Sequence, residues 1–146
     1  MVVRFGPPVV DADGAVVGRL AAKLAKRLLM GERIVVVNAE KAVITGGKQA
    51  VEERYFEKLD RGDRKKGPFY PRYPDGLLKR AVRGMLPYKK EKGEEALKRL
   101  RVHIGVPAGL VDKPEKFGKQ ASELTCKYIT VGALCESLGA KGERWR

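Results

Sequence analysis

The chain has 146 residues and a mass of 16.2 kDa, the size of one ordinary domain that can hold its own hydrophobic core. Hydrophobic residues make up 43% and charged residues 34%, which excludes a disordered tail protein, and no apolar run approaches the ~18 residues of a membrane span. Prolines and Asp11 interrupt the amino terminus. We therefore expect no secretory signal and a protein that stays in the cytoplasm.

The net charge is strongly positive. The chain has 31 Lys and Arg against 18 Asp and Glu, which gives +13 at pH 7. Such a surplus repels itself within a compact domain, and a polyanionic partner would neutralise it. Nucleic acid is the commonest such partner, an anionic membrane surface is the second, and a basic enzyme without a polyanionic partner is the third reading. The charge alone favours nucleic acid.

The first sixty residues predict alternating strands and helices. Val9-Val10 indicates a strand, and Leu20, Leu24 and Leu28 recur at four-residue spacing, as on one face of a helix that Gly31 ends.

The β-branched run over residues 33–39 shows no alternation, which is typical of a strand covered on both faces in a parallel sheet. A second short apolar piece covers 42–45, and a helix is predicted from about Lys48 to Leu59.

The second half of the chain continues the pattern. A helix is predicted from Asp75, a suitable N-cap, with Leu78, Val82, Met85 and Leu86 inward, and Pro87 ends it. Further predictions are a helix over 94–100, a strand over 101–105, an extended loop over 106–122, a strand over 127–131 and a helix over 133–138. Strands that alternate with helices predict a three-layer α/β domain with a mainly parallel sheet. We expect a single domain over 1–146.

A basic insertion at about 60–92 stands out within this domain. Residues 58–92 carry a net charge of +8, and three prolines recur there at the three-residue period of polyproline II. Lysine and arginine bind phosphate oxygens and release counterions, so the segment predicts RNA binding. The predicted RNA-binding residues are Arg61, Arg64, Lys65, Lys66, Tyr70, Arg72, Tyr73, Lys79, Arg80, Arg83, Lys89, Lys90 and Lys92.

Aromatic side chains support the RNA interpretation of this segment. Phe69, Tyr70 and Tyr73 can stack on exposed bases, and a merely solvated lysine-rich loop has little use for them. The proline spacing also permits a peptide ligand for an SH3-like domain, although nothing else in the chain resembles a signalling protein.

Glycine-rich turns leave an enzyme of nucleotide metabolism as the alternative. Gly46-Gly47-Lys48 follows a short strand, but Ala42 and Gln49 break the phosphate-loop pattern. The turn at Gly14 lacks the dinucleotide pattern and could still hold one phosphate at a helix start.

Candidate catalytic and metal-binding residues are few. His103 is the only histidine and lies in a predicted strand, where a structural role is favoured. Asp11 and Asp13 are more simply turn residues than a carboxylate pair. Cys126 and Cys135 have no zinc spacing, and two buried free thiols are favoured over a disulfide. We predict no catalytic residues, no metal and no cofactor.

One block closely resembles a known family. The run Arg83-Gly84-Met85-Leu86-Pro87-Tyr88-Lys89 resembles ribosomal protein thirteen (L13) of the large subunit, in its archaeal and eukaryotic branch. Residues 9–12 and 18–21 are similar to the family's opening strand, turn and helix, and Ile44-Thr45-Gly46 and Gly67-Pro68 follow in the expected order. The resemblance spans about residues 8 to 107.

The resemblance implies a structural component of the large ribosomal subunit. Such a protein binds large-subunit ribosomal RNA directly, supports subunit assembly and contacts neighbouring ribosomal proteins, with no enzymatic activity, small-molecule substrate or membrane. The implied fold is a four-stranded parallel sheet between helical layers. The family's basic region falls here on Gly67, Pro68, Arg83, Gly84, Met85, Leu86 and Pro87.

Overall fold

The computed structural model describes residues 7–109, 113–116 and 120–145. Its main sheet has four parallel strands in the order β4-β2-β1-β5. The strands are β1 (Val9–Asp11), β2 (Ile34–Val37), β4 (Leu100–Val102) and β5 (Glu115–Lys116). This confirms the α/β class with a mainly parallel four-stranded sheet, and with five helices it is consistent with three layers.

Strand β5 corrects the prediction of an extended loop over residues 106–122. Val10 and Asp11 of β1 align with Glu115 and Lys116. A strand of two charged residues has neither apolar alternation nor β-branched side chains, so only its pairing with β1 defines it.

A second, two-stranded sheet lies beside the first. Strand β3 (Val43–Thr45) pairs antiparallel with β6 (Tyr128–Thr130), and Ile44 aligns with Ile129. The sequence predicts β3 as a short apolar piece and β6 as a strand, and neither belongs to the parallel sheet.

Helix α1 (Val17–Leu29) anchors the core. Leu20, Leu24 and Leu28 are buried, as their spacing predicts, and the helix packs against α3 and α4. Gly31 has a φ of +95°, which glycine adopts without steric cost, and it follows the predicted end of the helix.

Helices α2 (Lys48–Asp60), α3 (Pro74–Met85), α4 (Glu91–Lys98) and α5 (Val131–Ser137) complete the fold. Helix α3 begins at Pro74, and the prediction of Asp75 as its N-cap is wrong. Tyr73 is its N-cap and Pro74 its first residue, while the Asp75 carboxylate accepts the Gly76 N–H at 2.8 Å. Proline suits this position because a first-turn N–H has no helical partner.

Two further corrections concern inward positions. Met85 is 46% exposed at the end of α3, and Leu77 occupies a core position instead. Leu100, predicted to end a helix, begins β4, where it aligns with Ile34 and both side chains are fully buried. The pairing to β2 therefore decides the conformation of this segment.

Candidate nucleic-acid interface

The basic insertion is an exposed loop, helix α3, a tight turn and the start of α4. Of the predicted cations, Lys79 and Arg83 are half-buried and the others are exposed. Across residues 7–109, 113–116 and 120–145, no cation of this insertion forms an ion pair with a carboxylate. The segment's charge therefore faces outward without internal neutralisation.

Phe69 lies between two open cavities at the centre of this surface. Its side chain is 75% exposed. Lys58, Arg61, Pro68, Phe69, Tyr70 and Arg80 line a cavity of about 250 Å³. Lys79, Arg83 and Leu97 share an adjoining cavity of about 630 Å³ with Phe69 and Arg80. The fold thus brings arginines from the loop and from α3 around one exposed aromatic ring.

Helix α3 presents three of the predicted cations side by side. Lys79, Arg80 and Arg83 are three and four residues apart and line the larger cavity together. The guanidinium carbon of Arg83 lies 4.4 Å from the centroid of the Tyr88 ring, within cation–π range.

The two tyrosines predicted to stack on RNA already contact other side chains of the protein. The Tyr70 ring lies 6.0 Å from the Tyr55 ring in an edge contact. Tyr73 lies 6.5 Å from Trp145, and the guanidinium carbon of Arg144 lies 4.4 Å from the Tyr73 centroid. Both tyrosines are half-buried and pack against the core. Phe69 is therefore the ring of this segment that offers the most open face.

Lys58 on α2 also belongs to this surface, although the sequence analysis did not select it as a site residue. Its Nζ lies 4.6 Å from the Tyr55 centroid and 5.4 Å from that of Tyr70. Burial lowers the pKa of Lys58, and repulsion by Arg54, Arg61 and Arg80 lowers it further. Lys58 was counted in the +8 segment, but only the fold places it beside Arg80. The crowding of cations favours a bound anion here.

Burial also shifts the pKa values of two neighbouring tyrosines, Tyr55 and Tyr70. Burial raises the pKa of Tyr55 to about 12, with a smaller contribution from Tyr70. Burial likewise raises the pKa of Tyr70, and Arg80 opposes that shift. Both phenols therefore stay protonated at neutral pH and add no negative charge to the surface.

The other predicted cations do not line the two cavities beside Phe69. Arg64, Lys65 and Lys66 occupy an exposed loop that two backbone hydrogen bonds of 2.9 Å between Asp63 and Gly67 close. Arg72 precedes α3, Lys89 and Lys90 lie in the turn before α4, and Lys92 lies on α4.

The turns at Gly14 and Gly46 each use a glycine N–H within the protein. The Gly14 N–H donates to the Lys41 carbonyl at 3.0 Å, and the Gly46 N–H donates to the Lys127 carbonyl at 2.8 Å. The Asp11 carboxylate accepts from the Asp13 N–H and from the Asn38 side chain, as a turn residue does. These contacts support structural roles.

The cysteines are both free. Cys135 is buried, and burial raises the pKa of its thiol to about 12. Cys126 is exposed, so the prediction of two buried thiols is wrong for that residue. In the part of the chain that the structure describes, no His, Cys, Asp and Glu residues cluster as metal ligands, and no helix has the length and apolar character to span a membrane.

Comparison with known proteins gives a consistent result. The sequence profile of the family described as ribosomal protein L13 matches residues 7–108. The large ribosomal subunit protein uL13 of Archaeoglobus fulgidus is 53% identical over 138 residues, which cover 92% of this chain and 88% of that protein. The uL13 of Methanopyrus kandleri is 52% identical, and the match covers 90% of this chain and 86% of that protein. The uL13 of Methanocaldococcus jannaschii is 49% identical, and the match covers 91% of this chain and 98% of that protein. Residues 83–89, which first suggested this relationship, lie inside the matched region, and the chain belongs to the ribosomal protein L13 family, as a member of its archaeal type.

Proposed function

We propose that this protein is a structural constituent of the large subunit of the cytoplasmic ribosome, which binds large-subunit ribosomal RNA directly and supports subunit assembly. The names of its relatives support the place in the large subunit. The observation that carries direct RNA binding is the set of cations around Phe69 that lack acidic partners among the described residues.

Phosphate binding is the role proposed for the face of α3. Lys79, Arg80 and Arg83 project from one rigid helix, so the chain gives up little backbone freedom in presenting three positive charges together. Each phosphate contact releases condensed counterions into solution, which favours binding entropically. Arginine adds a planar fork of N–H donors that matches two phosphate oxygens.

The ring of Phe69 supplies a second kind of contact. An unpaired base has two apolar faces, and stacking one of them on an exposed ring stabilises a complex by about 1–3 kcal/mol. Arg80 lines both cavities beside the ring and can bind the phosphate of a nucleotide stacked there. The remaining predicted cations, including Arg64, Lys65 and Lys66, would follow the backbone on either side.

Assembly follows from charge neutralisation. Folding of a large RNA brings phosphates of separate segments together, and a protein with unpaired cations on a rigid core reduces that repulsion. The sheet and α1 supply the rigid core behind α3. This role needs contacts with RNA and neighbouring ribosomal proteins, and no chemical step.

The experiment is a salt titration of binding between the full chain and transcribed large-subunit ribosomal RNA. Replacing Arg80 and Arg83 by Ala should make the plot of log K against log salt less steep by roughly 0.7–0.9 for each lost contact. Lys23→Ala with Lys26→Ala is the matched control, because both lysines are exposed on α1 and the same two charges are removed. An unchanged slope for the Arg80 and Arg83 variant would remove those residues from the interface.

A further inference from the structure

A second basic cluster lies where strands β2 and β4 begin. Ile34 aligns with Leu100 and Val35 with Arg101, and the Ile34 N–H donates to the Arg99 carbonyl at 3.2 Å. Ile34 and Leu100 are fully buried. Because side chains alternate between the faces of a strand, Val35 and Arg101 share the opposite face, on strands about 4.8 Å apart, and Arg33 and Arg99 immediately precede these two strands.

This face is an open, arginine-rich concavity. Arg33, Arg99 and Arg101 line a cavity of about 370 Å³ together with Lys98, Val35 and Pro7. The whole cluster lies outside residues 61–92, and among the residues that the structure describes no acidic side chain lines this cavity. The sequence alone does not reveal this cluster, because Arg33 and Arg101 are far apart in the chain.

The four cations differ in how they are held. Lys98 lies 3.6 Å from a Glu94 carboxylate oxygen, and Arg99 lies 3.9 Å from Glu95 and donates to the Leu28 carbonyl at 3.1 Å.

Arg33 and Arg101 are exposed, and neither side chain has an ion pair or hydrogen bond within the described ranges. Lys98 and Arg99, which have carboxylate partners, therefore flank two arginines that are available to a ligand.

The cluster is continuous with the surface on α3. Arg101 also lines a cavity of about 220 Å³ with Asp75, Lys79 and His103. Lys79 in turn lines the large cavity beside Phe69. A path of shared lining residues thus leads from Phe69 past Lys79 to Arg101 and Arg33, around the edge strand β4.

We propose that the RNA-binding surface extends along this path and that Arg33 and Arg101 bind phosphates of the ribosomal RNA. This rests on the proposed function. Arginine side chains without carboxylate partners suit phosphodiester oxygens, which accept two N–H bonds from one guanidinium. Continuity with the cations of α3 favours RNA over an acidic protein segment, since a backbone with one charge per nucleotide can follow the whole path.

The first test compares salt slopes for transcribed large-subunit ribosomal RNA. Arg33→Ala with Arg101→Ala in the full chain should make the slope less steep by roughly 1.4–1.8, the effect of two lost contacts. Lys23→Ala with Lys26→Ala should leave the slope unchanged, and Arg33→Lys with Arg101→Lys should retain it. Thermal unfolding of each variant establishes that it is folded.

The outcomes separate the two proposals. A wild-type slope for the Arg33 and Arg101 variant, beside a reduced slope for Arg80→Ala with Arg83→Ala, overturns this inference and leaves the proposed function intact. If neither pair alters the slope, this inference fails and the face of α3 is also removed from the proposed interface.

A second test identifies the occupant in assembled subunits. A photo-crosslinking amino acid substituted for Arg101 should attach to RNA, and the same substitution for Lys23 serves as the control. A crosslink from position 101 to protein alone would assign this face to a neighbouring protein and contradict the inference.

Discussion

The guanidinium carbon of Arg83 lies 4.4 Å from the centroid of the Tyr88 ring, so two residues of the run 83–89 contact each other across the end of α3. The Leu86 N–H donates to the Arg83 carbonyl at 3.2 Å, and the chain then turns at Pro87. The ring holds the cation without an acidic partner, which keeps its charge available to a phosphate.

Removing the ring should weaken RNA binding without altering its salt dependence. Tyr88→Ala takes away a cation–π contact of about 0.5–1 kcal/mol, so affinity should fall roughly two- to fivefold. The slope should stay at the wild-type value because no charge is lost. Tyr88→Phe keeps a ring and should bind as wild type in a filter-binding titration. Full affinity for Tyr88→Ala would show that Arg83 needs no support from the ring.

Phe69 should contribute through stacking. Phe69→Ala should weaken RNA binding by about 1–3 kcal/mol, because it removes the stacking ring. The salt slope should stay unchanged, because the substitution removes no charge. Its thermal stability should change little, since the side chain is 75% exposed. Phe56→Ala is the control, as Phe56 is exposed on α2 and lines neither cavity beside Phe69. An equal loss for both variants would argue against stacking at Phe69.

The two cysteines should differ in reactivity. The raised pKa of Cys135, about 12, leaves only about one molecule in ten thousand as thiolate at pH 8, and burial blocks access. The thiolate fraction grows tenfold for each pH unit but stays minor below pH 11. A colorimetric thiol reagent at pH 8 should therefore label one thiol of the native chain and two after denaturation.

Cys126→Ser identifies the reactive thiol. This variant should show no rapid labelling in the native state, because Cys126 is the exposed cysteine. Rapid labelling of native Cys126→Ser would mean that the thiol of Cys135 is accessible.

Gly93 should be intolerant of a side chain. A Cβ at this position would collide with the Pro87 carbonyl and the Tyr88 nitrogen, because α4 begins directly against that turn. Gly93→Ala should lower the free energy of unfolding by about 1–3 kcal/mol, the range for overpacking. Gly84→Ala is the matched control on α3, where a Cβ meets no atom within 4 Å.

Gly84→Ala should raise stability by up to about 1 kcal/mol through helix propensity. Urea unfolding of both variants measures the difference. Equal effects of the two substitutions would contradict the packing of α4 against the turn.

Elements with their own periodic signal could be predicted from sequence. The leucines of α1 fix its buried face, and the β-branched run of β2 marks a central strand, because burial on one or both faces dictates those residue types. The cations of α3 could also be grouped, since residues three and four apart share a face of any helix.

Features that depend on distant pairing could not be predicted. Strand β5 has no apolar pattern, and Leu100 joins a strand because it pairs with Ile34. The sequence around Tyr73 does not show that its ring packs against Trp145 near the other end of the chain. Arg33 and Arg101 become neighbours only through the parallel register of β2 and β4.

The most direct test of the central claim is sedimentation of cell extract through a sucrose gradient, with detection of the full-length protein. An RNA-bound constituent of the large subunit should migrate with that subunit, remain after a moderate salt wash and be released at high salt, as phosphate contacts require. Variants with Arg80 and Arg83 replaced by Ala should be released at lower salt than wild type. Recovery of the wild-type protein at the top of the gradient, with the large subunits free of it, would contradict the account.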